Sequence, residues 1–270
     1  DVSEWSFFHY YLGAKYFTEL GYDGLYEQAV AADYEGAHRF DDVPLIRNLV
    51  DYSFEPPAAA SRKRSPEWSD ARWAEFKADL AYFYRPLRKR WIEVLTDRGY
   101  NATPVWNTTG WLLGHLPASE GGFAIIAGLD TGLLLLSAGV MVITFGPLRG
   151  TLALAFLLLF YGNQVHVVGR PFLHDYAASL MLFVSAVHTG RARWAAVLLA
   201  YAAMIRIFPG FFLGGLIVWS FVQWRRSGAI PAFTRRFAPA FVAACLAFVV
   251  YGSLNGRGPH IWVEFTQSMA

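Results

Sequence analysis

The chain has 270 residues, of which 55% are hydrophobic and 17% aromatic, whereas only 16% carry a charge. An ordinary globular domain carries about 25% charged residues, so this composition and the mean hydropathy of +0.29 argue against a soluble protein. The formal net charge of +2 is too small for a nucleic-acid-binding surface, and the single cysteine excludes both an internal disulfide framework and a cysteine-based zinc site.

In the first part of the chain, the sequence predicts helices with aromatic faces. Residues 7–20 are expected to form an aromatic, amphipathic helix. Ser65-Pro66-Glu67 has the form of an N-cap, a proline and an acidic first turn, and predicts a helix that runs to about Tyr84. Residues 86–95 are expected to form a short helix that ends in a turn. Such aromatic faces suit either a membrane interface or the core of a helical extracytoplasmic domain, and the sequence leaves both open.

Composition changes sharply near residue 120. The first 120 residues hold most of the acidic side chains, whereas the only ones after residue 120 are Asp130, Asp175 and Glu264. We therefore expect two parts, a helical extracytoplasmic or interfacial region over residues 1–120 and a polytopic transmembrane domain over residues 121–270. The predicted fold class is an all-α integral membrane protein with about six transmembrane or half-membrane helices.

Six apolar segments carry the transmembrane prediction. A bilayer core of about 30 Å requires roughly 20 apolar residues per helix. Two of the segments, 194–205 and 211–222, are short for a full crossing and are separated by a break at 206–210. Short segments at membrane depth need protein or a water-filled cavity around their free backbone groups, which predicts an internal cavity. The segments are 123–145, 151–168, 172–188, 194–205, 211–222 and 237–254.

The placement of arginine predicts the orientation. Loops 146–150, 189–193 and 223–236 hold seven arginines, and the alternate loops 162–171, 206–210 and 255–260 hold three. Because cytoplasmic loops are richer in Lys and Arg, the first set is expected in the cytoplasm. Residues 1–120 then face the periplasm of a bacterial inner membrane, provided that the break at 206–210 reverses the chain.

Polar side chains gather at the predicted outer ends of the spans. Arginine binds phosphate in a bidentate way, and a carboxylate can act as a general base on a hydroxyl, so this set suits transfer from a lipid-linked phosphate. A solvated loop with helix caps is the alternative. Asp130 lies inside a span and is expected either to be functional or to be paired within the protein. The gathered residues include Gln164, Arg170, His174, Asp175 and Arg206.

Two stretches resemble a known family. Residues 1–26 (DVSEWSFFHYYLGAKYFTELGYDGLY) resemble the first extracytoplasmic loop of GT-C-type membrane glycosyltransferases, and most of all the polyprenyl-phosphomannose-dependent mannosyltransferases. In that family an acidic residue is followed by a tyrosine, a helix of small residues, a glycine and a Leu-Tyr pair. Residues 190–210 are similar to the family's alternation of arginines, an Ala/Leu-rich span, one basic residue and a proline. The matching positions of the first stretch are Tyr11, Ala14, Gly21, Leu25 and Tyr26.

The resemblance implies an activity and roles for particular residues. A sugar would pass, with inversion, from a polyprenyl-phosphate donor to an acceptor outside the cytoplasm. Asp1 or Glu4 would deprotonate the acceptor hydroxyl, and Arg206, together with Arg170, would hold the leaving phosphate. His174, Asp175 and Gln164 form a further polar site. Family members have more membrane helices, so the chain is expected to continue beyond both of its ends.

The expected partners are membrane lipids, a lipid-linked sugar and further membrane subunits, but not nucleic acid. No cofactor and no divalent metal are expected, because the lipid-linked sugar is itself the donor substrate. Two other functions remain open from the sequence. The chain could be a non-catalytic subunit of a larger membrane complex. It could also be a transporter, which Asp130 and the broken span favour, although no inverted repeat is visible.

Overall fold

The computed structural model describes residues 2–59, 64–161 and 169–268. These residues form thirteen α-helices, two 3-10 turns and one two-stranded hairpin, which confirms the predicted all-α class. The chain divides into two compact units. The first unit comprises Asp1–Ile126 and Gly252–Ala270, and the second comprises Ala127–Tyr251. Helix α7 is thus shared between the two units, and the last helix of the chain belongs to the first unit.

The first unit is built from seven helices and the start of an eighth. A short hairpin pairs Ile46 with Glu55 in antiparallel register. Its elements are α1 (Glu4–Lys15), α2 (Phe17–Leu20), α3 (Leu25–Tyr34), β1 (Ile46–Arg47), β2 (Phe54–Glu55), α4 (Asp70–Tyr84), α5 (Trp91–Leu95), α6 (Pro104–Leu113), the first turns of α7 (Glu120–Phe145) and, at the chain's end, α13 (Ile261–Ser268).

Aromatic rings form the core of the first unit. Phe7 of α1 stacks on Phe123 of α7 with ring centroids 4.3 Å apart, and Phe83 of α4 stacks on the same ring at 5.6 Å. All three side chains are fully buried. The aromatic face predicted for α4 is buried as well, so its rings serve as core rather than as an exposed surface. The buried residues of that face are Trp68, Trp73, Phe76, Leu80 and Phe83.

The start of α4 differs from the prediction. The helix begins at Asp70, and its N-cap is Ser69, whose hydroxyl accepts a hydrogen bond from the backbone N–H of Arg72. Ser65 instead lies in a turn, where its backbone N–H donates to the side chain of Gln28. Ser65 therefore contacts Gln28, a residue far away in the sequence, instead of capping α4. The predicted end of the helix at Tyr84 is confirmed.

The second unit contains most of α7 and five further helices. The predicted reversal at 206–210 is present as a short 3-10 turn, Phe208–Gly210, between two of them. The helices are α8 (Pro147–Tyr161), α9 (Asp175–His188), α10 (Ala192–Ile205), α11 (Phe211–Ser227) and α12 (Ala232–Gly252). Part of the predicted span 151–168, namely residues 162–168, lies outside the described residues.

Side-chain contacts fix the directions of these helices. Helix α7 runs parallel to α9, because Asp130, inside α7, contacts His174 just before the start of α9, and Phe145 contacts His188 at the ends of both helices. Helices α9 and α10 are antiparallel, and α11 and α12 are antiparallel. The loops with seven arginines thus meet at one end of this unit, which we call the arginine-rich end, and Arg170 and Arg206 lie at the other.

Two helices of the described chain are long and apolar enough to cross a membrane, α7 with 26 residues and α12 with 21. Their most apolar windows are only 28% and 6% buried, whereas the core helix of a soluble protein is mostly buried. The other four predicted spans form helices of 14 to 17 residues, shorter than a full crossing needs. By helix length and composition, two helices of the described chain qualify as membrane crossings, whereas the sequence predicts six.

Candidate functional site

A buried carboxylate–imidazole pair lies in the second unit. Both oxygens of Asp130 accept hydrogen bonds from His174, one from its backbone N–H at 3.0 Å and one from Nδ1 at 2.6 Å. Asp130 is 1% exposed and His174 is 6% exposed. The contact fixes the imidazole with its Nδ1 proton directed at the carboxylate. Asp130 is thus paired within the protein, by His174. The neighbouring Thr131 is not its partner, because the Thr131 hydroxyl donates to the carbonyl of Ala127.

A second carboxylate lies next to this pair. Asp175, the first residue of α9, accepts hydrogen bonds from its neighbour's backbone N–H at 2.8 Å and from the hydroxyl of Tyr201 at 2.6 Å. It is fully buried. Both Asp130 and Arg206 lie near enough to affect its charge. Sequence reasoning missed Tyr201, because a tyrosine in an Ala/Leu-rich segment looks like one more apolar residue.

Arg206 ends α10 at the same end of the unit. Its backbone is extended and its side chain is half-buried. The guanidinium carbon lies 5.9 Å from the centre of the Tyr176 ring, and Tyr176 follows Asp175 at the start of α9. The structure therefore brings together His174, Asp175 and Arg206, three of the predicted polar residues. Together with Asp130 and Tyr201, we call these residues the polar cluster.

The other predicted residues near this end are placed only in part. Arg170 is half-buried and precedes His174 by four residues. Between them, Phe172 adopts a left-handed backbone conformation with φ of 57°, which is strained for a bulky residue. Gln164 lies outside the described residues.

The predicted catalytic acids belong to the first unit. Glu4 is the first residue of α1, is half-buried, and lies near the phenol of Tyr82 and the carboxylate of Glu120. Within the part of the chain that the structure describes, Glu4 has no ion-pair partner. Asp1 lies outside the described residues.

The first unit also contains a cleft with a volume of about 780 Å³. Such a volume is within the usual range of ligand sites. Tyr22 and Tyr100 stack against each other along its wall, with ring centroids 6.0 Å apart. Tyr100 fits there because Gly13 of α1 has no side chain; a Cβ at Gly13 would lie 2.5 Å from the Tyr100 ring.

Charged side chains surround this cleft. Arg47 is held by the carbonyl oxygens of Thr96 at 2.9 Å and Tyr52 at 3.0 Å. Arg257 is held by Glu264 at 3.0 Å. Asp23 and Arg98, by contrast, are exposed and have no ion-pair partner among the described residues. The cleft thus offers one carboxylate and one guanidinium to a ligand beside aromatic rings.

A buried ion network holds α1 to α4. The ammonium of Lys15 lies 2.6 Å from Asp79 and 2.9 Å from Glu75, and the hydroxyl of Tyr16 donates to Asp79 at 2.7 Å. Burial lowers the pKa of Lys15, but its bonds to Asp79 and Glu75 outweigh that effect and raise it. Burial also raises the pKa of Tyr11, a further neighbour of Lys15, to about 12. We assign this network a structural role, because it joins two helices and its central pair, Lys15 and Asp79, is largely buried.

His9 is a second buried polar group of the first unit. Its Nδ1 donates to the carbonyl oxygen of Trp5 at 2.8 Å, so its Nε2 accepts the hydroxyl of Tyr26 at 2.7 Å. Burial lowers the pKa of His9, and the hydrogen bond to the Trp5 carbonyl and the carboxylate of Asp97, 4.0 Å away, only partly oppose this. The imidazole is therefore neutral in the folded protein at neutral pH.

Comparison with known proteins adds no further constraint. Among the described residues, no three His, Cys, Asp or Glu side chains are grouped so as to hold a metal ion. No protein-family model matches this chain, and neither curated proteins nor solved structures yield a match.

Proposed function

We propose that the chain is a glycosyltransferase of the bacterial inner membrane that moves a sugar from a polyprenyl-phosphate donor to an extracytoplasmic acceptor. The observation that carries the proposal is the polar cluster, in which Arg206 lies near the buried carboxylate of Asp175 at one end of a set of exposed apolar helices. In this proposal all six apolar segments of the second unit lie at membrane depth, and residues 1–120 face the periplasm.

Exposed apolar surface supports the membrane location. Monomeric soluble proteins rarely expose contiguous apolar patches larger than a few hundred Å². Helix α11 has no buried residue at all, although its sequence is rich in Phe, Trp, Leu and Val. On α7, Leu135 and Ile143 are 69% and 85% exposed. Lipid chains would cover these faces without the cost that water imposes.

Arg206 is the residue we propose for the donor phosphate. A guanidinium offers two parallel N–H donors to phosphate oxygens, and Arg206 is only half-buried, so its donors can be reached. The ring of Tyr176 and the charge of Asp175 hold the arginine at the end of α10. Arg170 would assist from the segment before α9.

The reaction itself requires a base. The anomeric carbon loses its bond to the phosphate oxygen, which leaves as polyprenyl phosphate with the bonding electrons, and gains a bond to the acceptor oxygen, whose proton passes to a carboxylate. Asp130 and Asp175 are poorly suited, because each is buried and its oxygens already accept hydrogen bonds. Their role is to position His174 and the start of α9. Glu4, which is partly open to solvent, remains our candidate for the base, with Asp1 as the second.

The cleft of the first unit is our candidate for acceptor binding. A sugar presents hydroxyls that pair with carboxylates, guanidinium groups and amides, and C–H faces that pack on aromatic rings. Asp23 and Arg98 would provide the polar contacts, and Tyr22, Tyr52 and Tyr100 the aromatic ones.

The arginine assignment is tested by donor turnover with the full chain in lipid vesicles. We expect Arg206→Ala to weaken donor binding roughly tenfold to a hundredfold, the size of one or two lost charge-assisted hydrogen bonds. Arg206→Lys should recover part of the loss. Arg149→Ala removes an exposed arginine from the arginine-rich end and should leave donor binding unchanged. Equal donor affinity in all four proteins would remove Arg206 from the phosphate site.

The base assignment has its own test. Glu4→Gln should lower the rate of transfer by roughly 10²-fold or more at saturating donor, because the hydroxyl proton loses its acceptor. Glu27→Gln, at an exposed glutamate of α3, is the matched control. Wild-type rates in Glu4→Gln, in Asp1→Asn and in the double variant would reject both candidate bases.

A non-catalytic subunit of a membrane complex remains the alternative, and the exposed aromatic surface of α11 favours it. Phe211, Trp219 and Phe221 are 78%, 42% and 56% exposed and could receive a helix of another subunit. Stable capture of a defined partner through this face, together with no transfer by the isolated chain, would decide for this alternative.

A further inference from the structure

The second unit carries a large excess of positive charge. It contains nine arginines and no lysine, but only two carboxylates, Asp130 and Asp175. Both carboxylates are buried and belong to the polar cluster. The arginines of the opposite, arginine-rich end therefore have no carboxylate of their own unit within reach and can pair with an anion from outside the unit. They are Arg149, Arg191, Arg193, Arg225, Arg226, Arg235 and Arg236.

Three of these arginines surround one groove. The groove has a volume of about 570 Å³ and is lined by residues 190–194 and by Arg236. Arg191, Arg193 and Arg236 are all exposed, and Trp194 is 66% exposed. Among the described residues, none of the three arginines forms an ion pair. We call this feature the arginine groove.

The floor of the arginine groove is rigid. Gly190 turns the chain between α9 and α10 with a φ of 70°, and the backbone N–H of Arg191 donates to the carbonyl of Ala186 at 2.8 Å. Arg236 is placed by its neighbour Phe237, which is 4% exposed and packs with Ala195 and other buried residues of α9 and α10. The cations are thus presented by anchored helix ends, which lowers the entropy lost when they bind.

The chemistry of the groove selects a phosphate. Guanidinium groups pair with phosphate oxygens through parallel N–H donors, and no carboxylate competes for them here. Trp194 adds an amphipathic ring of the kind that is enriched where a helix leaves a membrane. Val197, one helical turn beyond Trp194 on α10, is 37% exposed, and Val242 of α12 is 58% exposed, so both helices carry exposed apolar side chains. A phosphate with acyl chains attached satisfies both parts of this surface, whereas a free phosphate satisfies only one.

We propose that the arginine groove binds the headgroup phosphate of an anionic membrane phospholipid, whose acyl chains lie against the exposed apolar residues of α10 and α12. Basic pockets between membrane helices bind such headgroups on the cytoplasmic side, which is where the arginine excess would orient this end. The inference requires that the second unit lies in a membrane, but it does not require sugar transfer.

Lipid retention by the full chain tests the proposal. The protein is purified in detergent with equal amounts of phosphatidylglycerol and phosphatidylcholine of identical acyl chains, and retained lipid is measured by native mass spectrometry. We expect wild-type protein to retain phosphatidylglycerol selectively. The triple variant Arg191→Gln/Arg193→Gln/Arg236→Gln should lose that retention about tenfold or more, equivalent to one strong contact of about 1.4 kcal/mol.

The control changes the same charge at the same end. In Arg225→Gln/Arg226→Gln/Arg235→Gln three exposed arginines outside the groove are replaced, and selective retention should persist. Equal loss in both triple variants would show diffuse attraction and overturn the proposal. Equal retention of phosphatidylcholine, displacement of the lipid by an equal concentration of glycerol 3-phosphate, or no retained lipid at all would also overturn it. Sugar transfer by the same preparations is measured separately, so a failed lipid site and a failed transferase assignment are distinguishable.

Discussion

In the first unit, Phe7, Phe83 and Phe123 are fully buried, whereas in the second unit Leu135, Ile143 and Phe211 expose more than two thirds of their side-chain surface. Both units are rich in apolar residues, so apolar content alone does not separate them. They differ in whether the apolar side chains are buried or exposed. The first unit contains enough polar side chains to cover an aromatic core, as a protein in water must. The second unit buries small residues such as Ala195 and Ala196 beside a few large ones such as Phe183, and exposes many of its other large apolar side chains.

The difference also appears in the treatment of charge. The first unit closes its buried charges locally, as in the contact of Lys15 with Asp79. The second unit buries both of its carboxylates and leaves seven arginines exposed at one end. In water this separation of charge brings no stabilisation, whereas the anionic headgroups of a membrane would attract the exposed arginines.

The largest expected effect comes from the core of the first unit. Phe123→Ala should lower the free energy of unfolding of that unit by roughly 3–5 kcal/mol, because it removes a ring that stacks on both Phe7 and Phe83. Hydrogen exchange of first-unit peptides in the reconstituted full chain measures this. The matched change in the second unit, Phe211→Ala, removes a ring that is 78% exposed and should cost much less. Comparable losses would end the distinction between the units.

A charge on an exposed residue tests the surroundings of the second unit directly. Leu135, near the middle of α7, is 69% exposed, and Val50 of the first unit is 74% exposed. In lipid, Leu135→Arg should disfavour membrane insertion by roughly 3 kcal/mol, whereas Val50→Arg should be nearly neutral. The fraction of chain that resists alkaline extraction from membranes measures insertion. If both variants are as well inserted as wild type, α7 does not face lipid at this position.

The buried ion network gives the next effect. Lys15→Met leaves Asp79 with the Tyr16 hydroxyl but without its cation, and should cost about 3 kcal/mol of first-unit stability. The control is Lys77→Met, which removes a cation paired with Glu35 at a site where both side chains are more than a third exposed, and should cost less than about 1 kcal/mol. Thermal unfolding of the two variants provides the comparison. Equal costs would show that the ion pair of Lys15 with Asp79 contributes no more to stability than a surface ion pair does.

The smallest effect is a pH dependence of the first unit. Because burial lowers the pKa of His9, the unfolded chain takes up a proton below about pH 6.5 that the folded chain does not. Stability should therefore fall as the pH decreases through 6.5, by at most about 1.4 kcal/mol per pH unit. His9→Gln should flatten this slope, whereas His38→Gln, at an exposed histidine, should keep it. An unchanged slope in His9→Gln would place the titrating group elsewhere.

The sequence predicts local features of this fold well. The apolar segments correspond to α7–α12 with shifts of a few residues at their ends, and the arginine-rich loops do gather at one end. These features depend on periodicity and composition, which act over one or two helical turns. The predicted start of α4 is wrong because two serines, Ser65 and Ser69, each lie within two residues of a following acidic residue. The sequence alone does not show that Ser65 contacts Gln28 and that Ser69 is the N-cap.

The candidate site could be predicted only in part. That Asp130 needs a partner follows from the cost of burying a carboxylate, but the identity of His174 depends on the packing of segments 44 residues apart. Tyr201 becomes recognisable only once α9 and α10 are known to be antiparallel. The roles of Glu4 and Arg206 stay predictions, since they depend on a substrate.

The helix at the far end of the chain has a consequence for biosynthesis. Arg257 donates to the carbonyl of Thr18, a residue 239 positions earlier, and Trp262 packs close to Gly252 in the same unit. A ribosome adding roughly 5–20 residues per second needs tens of seconds between these two points. During that interval the aromatic core of the nascent polypeptide lacks the contacts that α13 provides, so the first unit completes its packing only after the ribosome has passed that helix.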